Sequence, residues 1–250
     1  MSAGLELMTM NLLAIDTCDA RGSVAVLRNE ETRSVTVYEG QEEYSSWLLT
    51  AVYRSLEAAG LSLPEVDVFA VATGPGSFTG ARIGLTAIKA WAEICQRKIA
   101  GISRLEALAS QAAPDTEYVA AFFDGSRNQV FGALYRRRAA EFDRVGDELV
   151  LSPSEFIAWV GAESGSQPVR WAALDPEKVT GESAWSARAD RGEEIFRVPS
   201  NLAPLIGKIG YGRALAGNLV DALALAANYV RRTDAEVFWS GGPPGAVRPK

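Results

Sequence analysis

Three short runs hold the residues best suited to chemistry. The first is Ala72-Thr73-Gly74-Pro75-Gly76-Ser77-Phe78-Thr79-Gly80-Ala81-Arg82, which follows an apolar run at 66–71 and opens an amphipathic helix. Glycine lets the main chain approach a neighbour closely and take up positive φ, and Pro75 fixes one φ nearby. The first amides of the helix have no partner within it, which suits a phosphate or a carboxylate. Equally, Ser77 or Thr79 would cap the helix and leave the glycines to close packing alone. The run is not a P-loop, because no Lys-Ser/Thr pair follows its last glycine, and it fails the dinucleotide spacing. The second run, Asp16-Thr17-Cys18-Asp19-Ala20-Arg21-Gly22-Ser23, puts an acid at a strand end ahead of hydroxyls and a glycine, a pattern that can hold Mg²⁺ and phosphate oxygens. The third, Asp124-Gly125-Ser126-Arg127, occupies the matching turn of a second half. Asp16, Thr17, Asp124 and Gly125 are therefore the candidate nucleotide contacts, facing one another across a cleft. Asp16 and Asp124 would otherwise merely cap their turns.

The chain of 250 residues contains no histidine. That excludes Ser-His-Asp triads, Cys-His pairs, imidazole bases and His-ligated metals. Two distant cysteines, Cys18 and Cys95, make no thiolate zinc site and read as buried free thiols of a reducing cytoplasm. No catalytic residue and no metal ligand is assigned. The net charge of −6 argues against a stand-alone nucleic-acid binder, and Arg136-Arg137-Arg138 reads as a solvated strand edge. No apolar run is long enough to span a bilayer, and no leader is evident, so a cytoplasmic protein is expected. Residues 1–10 and 240–250 are expected to be disordered.

These runs need a scaffold. Residues 11–16, 22–28 and 33–38 read as three strands of a meander. Residues 42–59 carry a helical stripe of Tyr44, Trp47, Leu48, Ala51, Val52 and Leu56, with Gly60 as its stop. A strand at 66–72 and a helix at 81–97 follow. Ser103 and Glu106 suggest a capping box for a helix through Gln111. Strands are predicted at 118–124, 129–136, 147–151 and 169–174, with a helix started by Ser152-Pro153-x-Glu155. Residues 161–166 and 181–192 read as loops, and a helix is predicted from about 204 to 229, broken at Gly207, Gly210 or Gly212. The strand triplet at 11–38 is echoed at 118–151, so the chain reads as two similar α/β halves. Trp47, Tyr53 and Trp91 are many large aromatics for two adjacent helices, which fits either a core stripe or an interface.

LLAIDT at 12–17, GSVAV at 22–26, GPGSFTGARIG at 74–84 and YVRRTDAE at 229–236 together resemble the bacterial TsaB (YeaZ) family. The resemblance implies a duplicated actin-like (ASKHA, ribonuclease H-like) α/β fold. Its two lobes, 11–101 and 102–239, would each carry a mixed sheet flanked by helices. It implies a non-catalytic subunit that binds and activates TsaD in making threonylcarbamoyladenosine in tRNA, at the adenosine beside the anticodon. TsaE would join the pair, TsaC would supply the activated intermediate, and tRNA would be contacted mainly through partners. Homodimers are implied too. The implied interface lies on the first-lobe helices, at Tyr44, Trp47, Leu48, Ala51, Arg82, Ile83, Thr86 and Ala87. Trp47→Ala or Ile83→Glu should then abolish pairing with TsaD and leave the lobe folded. Many relatives have a histidine near the start of the first helix, where this chain has Glu42-Glu43-Tyr44-Ser45. No cofactor is implied for the subunit. The alternative is an independent actin-fold ATPase or kinase using Asp16 and Asp124 around Mg-ATP. A metalloprotease fails for want of histidine.

Overall fold

The first two strands are nearly continuous apolar runs buried on both faces, and that decides how the first half is layered. The computed structural model describes residues 9–40, 43–112, 116–138 and 141–230. Strands β1 (Asn11–Asp16), β2 (Ser23–Arg28) and β3 (Glu31–Val37) form an antiparallel meander. Helix α1 (Tyr44–Ala58) leads to β4 (Val68–Gly74), parallel to β1, and α2 (Phe78–Cys95) leads to β5 (Lys98–Ser103), parallel to β4. The sheet order is β3-β2-β1-β4-β5. Successive side chains of a strand point to opposite faces. Leu13, Ile15, Val24, Val26, Phe69 and Val71 accordingly pack under α1 and α2, while Leu12, Ala14, Ala25, Leu27 and Ala70 face the other way.

After the short α3 (Arg104–Ala109) the pattern repeats. Strands β6 (Tyr118–Asp124), β7 (Val130–Arg138) and β8 (Glu141–Leu151) form a second meander. Helix α4 (Pro153–Ser164), β9 (Val169–Ala173), α5 (Glu177–Thr180), α6 (Ser183–Ala189), β10 (Ile195–Arg197) and α7 (Ala203–Leu215) complete the chain. The second sheet runs β10-β9-β6-β7-β8, the same order as the first read from its other edge. This is the duplicated actin-like α/β architecture expected of the sequence.

The halves exchange their last helices. Helix α3 follows the first sheet yet packs against β6 and β7, and α7 follows the second sheet yet lies on β1, β2 and β4. Small residues allow the close approach. A Cβ on Gly207 would fall 2.2 Å from Leu27, and one on Gly210 2.9 Å from Ala70. One apolar cluster therefore runs through both lobes, from Leu12 and Ala70 through Leu105 and Leu108 to Val119 and Ala172.

Several expectations need correction. Helix α7 ends at Leu215, not near 229, and Gly207, Gly210 and Gly212 do not break it. Gly217, at φ +73°, turns the chain out, and Val220 then pairs with Ile99 on the edge of β5. The segment 181–192 is not a loop, since it contains α6, seated by the buried Trp185. Gly161 lies within α4, where Arg188 packs against it. Strand β8 begins at Glu141, well before 147, and Gly146 at φ +68° interrupts its pairing instead of starting it. Cys18 is buried, but Cys95 is only half-buried, and both are free. Residues 1–8 and 231–250 lie outside the described residues, and so do most of YVRRTDAE and the expected disordered ends apart from residues 9 and 10, where the Met10 amide donates to Asn29 Oδ1 at 2.9 Å.

Candidate functional site

The glycine turn is built against the first hairpin. Ser77 caps α2, its Oγ accepting from the Gly80 amide at 3.1 Å. Its own amide donates to the Cys18 carbonyl at 2.7 Å. Thr17 Oγ1 donates to the Gly80 carbonyl at 2.8 Å. A Cβ on Gly76 would lie 2.2 Å from the Cys18 carbonyl oxygen, one on Gly80 2.0 Å from that of Thr17, and one on Gly84 2.2 Å from Thr17 Oγ1. Glycine is required at 76 and 80 because backbone meets backbone, and at 84 because the Thr17 side chain fills the space; Gly76 also sits at φ +149°.

Behind the turn, Arg104 is the pivot. It begins α3 at the lobe crossover and is 1% exposed. Its Nε donates to Asp16 Oδ2 and its Nη2 to Asp19 Oδ2, both at 3.0 Å, while its guanidinium stands 4.6 Å from the centre of the Phe123 ring. The other oxygen of Asp16 accepts from the Cys18 amide at 2.9 Å. Arg21 pairs with Asp19 at 2.9 Å and reaches Asp175 in the second lobe at 3.5 Å. Burial alone would raise Asp19, but Arg104 and Arg21 hold it down at about 2. Burial and the neighbouring Asp16 push the Cys18 thiol well up, so it is no nucleophile.

A cleft of about 860 Å³ opens between the lobes in front of this pivot. Asp19 and Arg21 line it from the first hairpin, Gly76 to Phe78 from the glycine turn, and Asp124 to Arg127 from the β6–β7 turn. Ser126, Arg127 and Asn128 are all left-handed, at φ 60°, 53° and 55°. Asp124 Oδ1 accepts from the Ser126 amide at 2.8 Å, and its Oδ2 stands 3.2 Å from Lys178 Nζ. The expected nucleotide contacts thus fall in two places. Asp124 and Gly125 line the cleft. Asp16 and Thr17 lie behind its wall, their polar atoms taken by Arg104, Cys18 and Gly80. Among the described residues no group of three or more His, Cys, Asp or Glu could hold a metal ion.

The paired helices α1 and α2 carry a second candidate surface. Two adjoining hollows, about 510 and 420 Å³, share Leu49. Leu48, Phe78, Arg82, Ile83, Thr86 and Ala87 line the first, and Val52, Tyr53, Leu56, Leu63 and Trp91 line the second. Leu49 is 61% exposed, Tyr53 67% and Ile94 75%. Of the expected interface residues, Arg82, Ile83, Thr86 and Ala87 line the first hollow, and Leu48 forms its floor. Trp47 and Ala51 point the other way, into the core beneath the helix. Tyr44 packs on Trp47 at 5.3 Å and on Tyr38 at 4.6 Å, and its hydroxyl donates to the Asp19 carbonyl at 3.0 Å. The helical stripe marked the residues of α1 that face the sheet; the outward Leu49 lies off it and was missed. Arg104 was missed as well, because a lone arginine gives no sign of the carboxylates it will meet 85 and 88 positions away.

The family model described as "TsaD: tRNA N6-adenosine threonylcarbamoyltransferase" matches residues 33–179. The tRNA threonylcarbamoyladenosine biosynthesis protein TsaB of Escherichia coli is 31% identical over 193 residues, covering 74% of this chain and 76% of that protein. The chain belongs to the TsaB (YeaZ) branch of that family. The TsaB of Bacillus subtilis is 26% identical over 237 residues, 92% of this chain and 98% of that protein. Among solved structures, YeaZ from Pseudomonas aeruginosa matches this TsaB-family chain with a TM-score of 0.69 at 25% identity, over 88% of this chain and 99% of that one. The ROK hexokinase of Thermus thermophilus, at 14% identity and a TM-score of 0.52, shares the fold alone. Among the described residues of this TsaB-family protein, no helix is long and apolar enough to cross a membrane.

Proposed function

We propose that this chain is a non-catalytic subunit of the cytoplasmic machinery that makes threonylcarbamoyladenosine in tRNA, and that it works by binding and activating TsaD. The observation that carries this reading is the pair of adjoining apolar hollows along α1 and α2. Leu49 and Tyr53 stand mostly exposed on that face, beside Ile83, Ala87 and Trp91. Large apolar and aromatic side chains clustered at an exposed helix pair are what a helical partner surface would cover. The names of the relatives supply the pathway, and the matching family model is that of TsaD. TsaE would join the TsaD complex, TsaC would supply its substrate, and tRNA would be held mainly by the partners. The same hollows would serve a homodimer when TsaD is absent.

The cleft supports a non-catalytic role. An Mg-ATP enzyme would need Asp16 open to the cleft, whereas its two oxygens are occupied by Arg104 and the Cys18 amide. Arg104 puts a fixed positive charge beside the carboxylates that would otherwise take the cation. The residues present therefore do not fit a magnesium nucleotide. Calorimetric titration of the purified chain with TsaD, and separately with Mg-ATP, tests both readings. Tight binding of TsaD that Ile83→Glu removes, with no heat from Mg-ATP, is expected. Mg-ATP binding that Asp16→Ala removes would instead favour the ATPase or kinase.

A further inference from the structure

The interlobe cleft and the first hollow share a wall, made by Phe78 and Arg82. Tyr229 rests on that wall from the cleft side. Its ring centre is 5.0 Å from that of Phe78, and its hydroxyl accepts from Arg82 Nε at 3.2 Å. The Arg82 guanidinium in turn sits 3.7 Å from the centre of the Phe78 ring. The preceding residue anchors the arrangement to both lobes. The Asn228 amide donates to the Thr73 carbonyl on β4 at 2.8 Å, and its Nδ2 donates to Glu148 on β8 at 2.6 Å. Glu148 also accepts from Ser103, at the lobe crossover.

We infer that Tyr229 is a positioning residue for partner docking, acting through Arg82 and Phe78 on a hollow that it does not line. The inference rests on the proposed seating of TsaD in that hollow. An exposed arginine on a helix samples many rotamers, and ordering it on binding costs affinity. Tyr229 fixes the guanidinium against Phe78 beforehand, so the wall is formed before the partner arrives. By linkage, a partner that needs this wall must also strengthen the seat of Tyr229.

The test uses the full-length chain and TsaD. Tyr229 is about half-exposed, at 46%, so its replacement leaves the core intact. Tyr229→Ala is expected to weaken TsaD binding about 3- to 10-fold, the range for freeing one such side chain. Tyr229→Phe, which keeps the ring and loses the hydroxyl, should fall between. In an Arg82→Ala background, Tyr229→Ala should have no further effect, and hydrogen exchange at the Asn228 amide should slow when TsaD binds. Equal TsaD affinity for the wild type and Tyr229→Ala would overturn the inference and leave the docking site standing. Failure of the wild type to bind would overturn both.

Discussion

Arg104 Nε stands 3.0 Å from Asp16 Oδ2, and neither side chain is more than 1% exposed. The pair joins the end of β1 to the first residue of α3, two points 88 positions apart that meet where the lobes cross. A buried pair of this kind contributes little beyond a well-packed apolar one, but breaking it leaves an unpaired charge in a medium that cannot solvate it. Arg104→Met should therefore lower stability by about 3–5 kcal/mol, read by urea denaturation. A midpoint unchanged from the wild type would mean that water reaches Asp16 and the pivot is not dry.

Asp19 ties the same cluster to acid stability. Its carboxyl is held at about 2, against 3.8 ordinarily, so the folded state binds its proton later than the unfolded state does. Its contribution is fully present above about pH 4 and is lost as the pH falls toward 2. Denaturation at pH 5 and pH 3 should show the wild type losing more stability on acidification than Asp19→Asn, by on the order of 1–2 kcal/mol. Equal losses would show that Arg104 and Arg21 do not hold this proton off.

The glycines of the turn can be tested one at a time. Ala at position 80 would drive its Cβ to 2.0 Å from the Thr17 carbonyl oxygen, which belongs to a buried backbone and cannot swing aside. Gly80→Ala should cost about 1–3 kcal/mol, as overpacking does, while Gly212→Ala, whose Cβ meets nothing within 4 Å, should be neutral or better. Melting temperatures of the two variants check this. If Gly80→Ala were as stable as the wild type, the turn would have room to serve a ligand instead of packing.

Trp47 and Ile83 separate core from interface. Trp47 is 5% exposed and packs on Tyr38 at 5.1 Å and Tyr44 at 5.3 Å, so Trp47→Ala should destabilise the first lobe by about 3–5 kcal/mol. This corrects the expectation that it would spare the fold. Ile83→Glu, on the open wall of the hollow, should melt near the wild type and lose TsaD. The two variants compared by thermal melting and by co-purification with TsaD give opposite profiles if the face is read correctly.

Local patterns revealed most of the architecture. A compact apolar run ending in an acid marked β1, valine-rich partial alternation marked β2, the glycine turn marked the start of α2, and the repeat of the strand triplet revealed the duplication. What stayed hidden depends on contacts between distant residues. The 3.6-residue stripe of α1 identifies the side that meets apolar neighbours, yet it cannot say whether those neighbours belong to this chain or another. Trp47 and Leu49 are therefore separated only by the sheet beneath one of them. Asp16 looked like a metal or phosphate ligand because a strand-end acid is one where nothing else claims it, and here Arg104 does. Gly207 and Gly210 looked like helix breaks because their role, seating α7 on Leu27 and Ala70, exists only once the lobes exchange helices.

The most direct measurement is threonylcarbamoyladenosine formation on unmodified tRNA by TsaC, TsaD and TsaE, with this chain added, omitted, or replaced by Ile83→Glu. Modification that needs the wild-type chain and fails with Ile83→Glu is the expected result. Modification at full rate without the chain, or with the chain standing in for TsaD, would contradict it.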